Sequence, residues 1–192
     1  MRDDATVFLL YEFMDGNLLQ YLRQVDKQKH GPMPVDDVVL IVRQIASAVQ
    51  YMHERGFFHR DIKPENILIS SNAKTVKVAD LGQAREISSN DTSASSREAN
   101  LGRYSPLVST RWYRAPEVIL EMPYGPAVDM WAIGVIAAEM LTLQVLMPGE
   151  SDIDQLACIF RTLGTPTDKT WLAGIARMKE MNLTTRVLCH AE

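Results

Sequence analysis

The sequence predicts a mainly α fold with a small β-hairpin, and three stretches carry that expectation. Val35, Val38, Val42, Ile45, Val49 and Met52 recur at three- and four-residue steps, which draws one apolar stripe on a helix that Gly56 ends. Residues 128–143 (VDMWAIGVIAAEMLTL) are apolar nearly all round, the pattern of a central buried helix. Between them the period changes. Residues 67–69 (ILI) and 75–78 (TVKV) are short strand-like runs joined by polar residues 70–74, with Asn72 the expected holder of the strained turn position.

The remaining elements follow in chain order. Residues 7–13 (VFLLYEF) form a short apolar, aromatic run that reads as a buried strand. Asn17 can cap a helix from Leu18 to about Lys29, where Gly31 and Pro32 stop it. Residues 83–109 are rich in Ser, Asn and Ala and read as a long mobile loop, the kind that is functional or disordered. Ser151 and Asp154 have capping-box spacing for a helix that ends at Gly164. Residues 183–192 show no pattern, and no internal repeat is visible.

Bulk composition excludes several classes. A chain of 192 residues fits one domain or a large piece of one. Its net charge of −4 gives no electrostatic case for nucleic acid or an anionic membrane. The start, MRDD, is polar and shows no secretory signal, and no apolar run approaches the ~18 residues that span a bilayer. Cys158 and Cys189 are far apart and lack His partners at zinc spacing, so they are expected to be reduced thiols in a cytoplasmic or nuclear protein.

The chemistry-bearing stretch is residues 59–66, HRDIKPEN, followed by DLG at 80–82. Asn66 enters the first hairpin strand and Asp80 leaves the second. A hairpin returns its ends to one place, with paired residues roughly 5 Å apart. An amide oxygen and a carboxylate then converge, which suits a hard divalent cation such as Mg²⁺. Asp61 and Lys63 lie two apart on the same loop, so one can accept a hydroxyl proton while the other steadies a phosphate. A bland alternative is a surface loop of solvated charges, the usual state of such residues. The length of the motif and its downstream partner outweigh it.

HRDIKPEN with DLG resembles the catalytic loop and metal-binding triplet of eukaryotic protein kinases, and residues 110–117 (TRWYRAPE) resemble the end of their activation segment. The resemblance implies a protein-kinase-like C-terminal lobe. It implies that Asp61 orients and deprotonates the substrate hydroxyl, Lys63 contacts the transferred phosphoryl group, and Asn66 and Asp80 hold Mg²⁺ beside ATP. Lys at position 63 marks the Ser/Thr branch. Leu81 replaces the usual Phe of the triplet. Residues 11–14 (YEFM) resemble the hinge, so the backbone at Glu12 and Met14 is expected to read adenine. Tyr11 would guard the back of that pocket and Leu68 floor it, with Ala79 nearby; as plain core residues they would read the same. Thr110 is expected to bridge toward Asp61 and Lys63, and Asp129 to brace the loop backbone. Glu117 would pair with an Arg in a later region that is not recognisable here.

WYRAPE, the run 148–156 (PGESDIDQL) and LGTP at 163–166 resemble the CMGC group, most of all the male-germ-cell-associated kinase subfamily. That likeness implies protein substrates whose Ser or Thr precedes Pro, and an activating kinase or regulatory partner. The subfamily's Thr-X-Tyr before VSTRW is replaced here by Ser105-Pro106-Leu107, with Tyr104 upstream. Ser105 and Tyr104 are candidate phosphorylation sites, and Arg60 a candidate phosphate partner. No two of the ten glycines lie two apart, so no GxGxxG loop exists in these residues, nor a VAIK-type strand Lys. The expectation is a partial kinase domain over 1–182 with an unassigned tail at 183–192, poorly active alone. A non-catalytic binding module derived from a truncated kinase is the alternative.

Overall fold

The computed structural model describes residues 10–28, 31–87 and 111–183. Strand β1 (Gly16–Asn17) leads straight into helix α1 (Leu18–Lys27), because Asn17 accepts from Gln20 N while the Gln20 side chain accepts from Asn17 N. That reciprocal cap is typically worth about 1 kcal/mol. Helix α2 (Val35–Glu54) ends at Gly56, whose φ of 79° is open to glycine. Its buried stripe is Val38, Ile41, Ile45 and Val49; Val35 is exposed, so the stripe starts later than the sequence suggests.

The hairpin is present as β3 (Ile67–Ile69) and β4 (Val76–Val78), antiparallel with Ile67 opposite Val78. The strained turn position falls to Ala73 (φ 56°), not Asn72. Asn72 instead uses its side-chain oxygen, accepting from Lys74 N at 3.0 Å and Ser70 Oγ at 2.7 Å. An Asx-type turn needs that oxygen more than it needs the left-handed backbone. β1 adds to β3 as a third strand, and β2 (Phe57–Phe58) pairs with β5 (Arg85–Glu86) in a second small sheet. Residues 85–86 are thus strand where the sequence reads loop. Residues 88–109 of that loop, Tyr104 and Ser105 among them, lie outside the described residues, as does Thr110.

The expected strand over 7–13 is corrected where it can be seen. Residues 10–13 adopt no strand, and Leu10, Tyr11 and Phe13 are 97%, 82% and 86% exposed. No described element covers them, and an apolar run without a covering layer stays in water.

Beyond residue 110 come the short α3 (Pro116–Ile119), the central α4 (Ala127–Thr142), α5 (Asp152–Leu163) and α6 (Asp168–Glu180). α4 packs against α2, with Ala132, Ile136 and Met140 at the centre of the main core. Ser151 caps α5 by accepting from Asp154 N, but the return bond runs from Glu150 N to Asp154 Oδ2. α6 has no counterpart in the sequence reading. It is kinked at Trp171, whose ring occupies the space a side chain at Gly174 would need. No described helix is long and apolar enough to cross a membrane.

Candidate active site

The segment between β2 and β3 is held from below by one carboxylate. Asp129, 1% exposed near the start of α4, accepts from His59 N (Oδ2, 2.8 Å) and Arg60 N (Oδ1, 2.8 Å). His53, in the last turn of α2, adds a third bond through Nε2 at 2.8 Å. Two helices therefore meet on the loop through a single buried anion. Arg60 adopts a left-handed φ of 72°, which few non-glycine residues do without compensation. Here the bond to Asp129 and a second from Arg60 Nε to Tyr124 Oη (3.0 Å) hold it.

His59 is fully buried and joins the loop to the hairpin. Its Nε2 lies 2.9 Å from the Ala79 carbonyl oxygen and its Nδ1 accepts from Asp61 N at 3.3 Å. Both bonds are satisfied by the neutral ring with its proton on Nε2. One side chain thus ties the residue before Asp80 to the amide of Asp61.

Above this support the chemical groups gather. Lys63 Nζ lies 2.7 Å from Asp61 Oδ2. Asn66, in the 3-10 turn Pro64–Asn66, donates from Nδ2 to the Asp61 carbonyl (2.8 Å) and carboxylate (3.1 Å). Both donations use the amide nitrogen, which leaves the amide oxygen as the atom able to meet a cation. Asn66 also accepts from Ala79 N through its carbonyl at 2.8 Å, so Asp80 follows immediately beside it. Asp80 has a left-handed φ of 63°, tolerable for Asp, and its exposed side chain meets Gly82 N at 3.3 Å. An amide oxygen and an exposed carboxylate on adjoining backbone fit a hard, oxygen-preferring cation. Among the described residues no cluster of three or more His, Cys, Asp or Glu side chains could hold a metal alone, so a cation here would take its other oxygens from a phosphate or water.

The hinge-side residues are placed differently. Leu68 and Ala79 are half-buried on the hairpin, and Met14 is half-buried. Tyr11 points into water, and the Glu12 carboxylate pairs with Lys77 of β4. Asp15 accepts from Ser71 N at 2.8 Å, which ties this segment to the hairpin's turn.

Sequence reasoning missed a second polar group behind the loop. Tyr113 Oη donates to Glu139 Oε2 at 2.6 Å, and Glu65 of the loop lies close enough to act on both electrostatically. Burial first, then the Glu139 bond, drives the Tyr113 phenol far above its usual range. Burial also raises Glu139, against the Tyr113 hydrogen bond. Tyr113 stands in the WYRAPE motif, but nothing in the order of residues points to a Glu 26 positions later. Glu117 is raised by burial and has no cationic partner among the described residues.

Comparison with known proteins agrees with this geometry. The sequence model of the protein kinase domain matches residues 1–188. Cyclin-dependent kinase F-4 of Oryza sativa subsp. japonica is 41% identical over 182 residues, 94% of this chain and 36% of that protein. Serine/threonine-protein kinase ICK of Rattus norvegicus is 39% identical over 183 residues, 95% of this chain and 27% of its own length. Serine/threonine-protein kinase MAK of Homo sapiens is 38% identical over a stretch of the same length. The chain therefore spans about a third or less of these relatives, and it belongs to the protein kinase domain family, in its CMGC group.

Proposed function

We propose that this chain carries the phosphoryl-transfer half of an ATP-dependent serine/threonine protein kinase, with Ser-Pro or Thr-Pro as the acceptor motif. The observation that carries the reading is the cluster in which Lys63 and Asn66 both meet the Asp61 carboxylate while Asp80 adjoins Asn66. Asp61 accepts the acceptor hydroxyl's hydrogen bond and takes its proton as the oxygen attacks. Lys63 balances negative charge on the transferred group, and its ion pair keeps the carboxylate in one rotamer. Asn66 and Asp80 would hold Mg²⁺, whose part is to neutralise the phosphate oxygens. Thr110 would contact Asp61 and Lys63. Glu12 and Met14 would read adenine by backbone, with Tyr11 behind the ring and Leu68 and Ala79 beneath it. Proline preference rests on the likeness to CMGC kinases.

Phosphoryl transfer is mainly positioning and charge stabilisation, and a positioned base contributes only about 10²–10⁴-fold. The 192 residues contain neither a GxGxxG loop nor a VAIK-type strand Lys, the groups that hold the ATP phosphates in this family. Assayed alone with labelled ATP, Mg²⁺ and a Ser-Pro peptide, they should transfer little label. The full-length protein should transfer it to Ser-Pro and not Ala-Pro peptide, and Asp61→Asn should abolish transfer. Undiminished transfer in Asp61→Asn would refute the assignment. The exposed Leu10, Tyr11 and Phe13 favour a second reading, a non-catalytic module that docks another protein on this face. Stable complex formation lost in Tyr11→Ser/Phe13→Ser, without transfer by the full-length protein, would select it.

A further inference from the structure

We propose that Tyr124, in the connection between α3 and α4, is a positioning residue for Asp61, acting through Arg60; this rests on the kinase reading above. Arg60 Nε donates to Tyr124 Oη at 3.0 Å, and the guanidinium carbon lies 5.6 Å from the centroid of the Tyr124 ring, within cation–π range. The same ring packs in a T shape against Phe58, with centroids 6.2 Å apart and planes at 81°. Tyr124 thus touches two side chains, two residues apart, where β2 runs into the catalytic loop. Phe58 is 1% exposed and belongs with Ala115 and Val128 to a small apolar cluster, so Tyr124 rests on a buried support. Pro123 and Pro126 stand on either side of it in the chain; each fixes its own φ and restricts the residue before it. The hydroxyl is presented from a connection with little freedom.

Arg60 needs that hold because of its backbone. A φ of 72° in a residue with a Cβ persists only where the surroundings over-determine it. φ is rotation about the N–Cα bond, and the two sides of that bond have separate anchors. Asp129 of α4 takes the Arg60 N–H, and Tyr124 takes the side chain that leaves Cα. Asp61 is the next residue. Its amide donates to His59 Nδ1 at 3.3 Å, its carbonyl accepts from Asn66 Nδ2 at 2.8 Å, and its carboxylate meets Lys63 Nζ at 2.7 Å. With the side-chain anchor gone, Arg60 relaxes toward negative φ and the Arg60–Asp61 peptide turns. The long bond to His59 is the first to break, and the carboxylate shifts from its place beside Lys63. A misplacement of about 1 Å in a catalytic group can cost ~10²-fold, so a partial shift is visible in turnover.

The test compares full-length wild type with Tyr124→Phe, Tyr124→Leu, Arg60→Gly, the double variant Arg60→Gly/Tyr124→Leu, and Val118→Ala. The last loosens the same apolar cluster without touching Arg60. Tyr124→Leu should lower kcat about tenfold with both KM values within about twofold, the mark of a group that acts on the transition state. Tyr124→Phe, which keeps the ring and loses the hydroxyl bond, should lower kcat by only about threefold. Glycine adopts a left-handed φ unaided, so the double variant should be no slower than Arg60→Gly alone. Val118→Ala should lower the melting temperature and leave kcat alone. In the 192-residue chain, the Arg60 Nε–H nitrogen-15 signal should be protected from exchange, and Tyr124→Phe should remove that protection and move the Asp61 amide signal. A rise in KM without loss of kcat, additive losses in the double variant, or an unmoved Asp61 amide would overturn the proposal. A full-length wild type that transfers no label would sink the kinase reading instead, and the Asp61 amide would still decide whether Tyr124 positions it.

Discussion

The catalytic loop and the hinge-side segment lie at opposite ends of the same small sheet, and they are held in opposite ways. Residues 59–66 are fixed by the buried Asp129 carboxylate, itself backed by the part-exposed His53, and by the buried His59 imidazole and Asn66 amide, all from within this chain. Residues 10–14 have no secondary structure, and their aromatic side chains point into water. The transferring groups are therefore preorganised by the lobe itself. Residues 10–15, proposed to read the nucleotide, are tied to it among the described residues through Glu12–Lys77 and Asp15–Ser71. Preorganisation is what makes oriented charge effective in the transition state, so the first region carries the chemistry that this lobe can specify unaided.

The contrast can be broken at its strongest point. Asp129→Ala removes an anion that is 1% exposed and leaves two backbone N–H groups and His53 without their acceptor. Urea unfolding should record a loss of about 3–5 kcal/mol, the cost of breaking a buried charged network. Tyr113→Phe removes the donor to buried Glu139 and should cost about 1–3 kcal/mol in the same assay. At the other end, Tyr11→Ala and Phe13→Ala should each stay within about 0.5 kcal/mol of wild type, since these side chains are more than 80% exposed.

A smaller effect depends on pH. Burial raises the Glu117 carboxyl above its ordinary 4.5 against a backbone hydrogen bond, and no cation among the described residues offsets it, so its ionised form is disfavoured in the folded chain. That penalty is present at neutral pH and is relieved as pH falls through the raised folded value toward the unfolded one. Glu117→Gln should accordingly melt at a higher temperature than wild type at pH 7, with the gap closing as pH is lowered toward 4.5. A gap that widens on acidification would show that the carboxylate is held by a favourable partner.

Long periodic elements were legible in the sequence. The stripe on α2, the apolar α4, the Asn17 cap and the hairpin all follow from local pattern, because each is decided by residues three or four apart or by a turn. What escaped was decided at a distance. The two-residue strands β1, β2 and β5 exist through partners 27–53 positions away, too short to leave a period of their own. Helix α6 is kinked by the seat of Trp171 against Gly174, which weakens its periodicity. In the site, Asp61, Lys63 and Asn66 were readable because one eight-residue motif contains them. The Tyr113–Glu139–Glu65 group was not, since burial and folding alone bring it together. Residues 10–13 of the apolar run misled for a related reason: composition announces what a strand would bury, not whether a covering layer is there.

Asp61, Asn66 and Asp80 are proposed to face a single metal–nucleotide position, and paramagnetic broadening by Mn²⁺–ATP reads that position directly. Amides of residues 61, 66 and 80–82 should broaden before any others in wild type, and Asp80→Asn should remove the effect without unfolding the loop. Broadening centred elsewhere, on the acidic start of α2 for example, or persisting undiminished in Asp80→Asn, would contradict it.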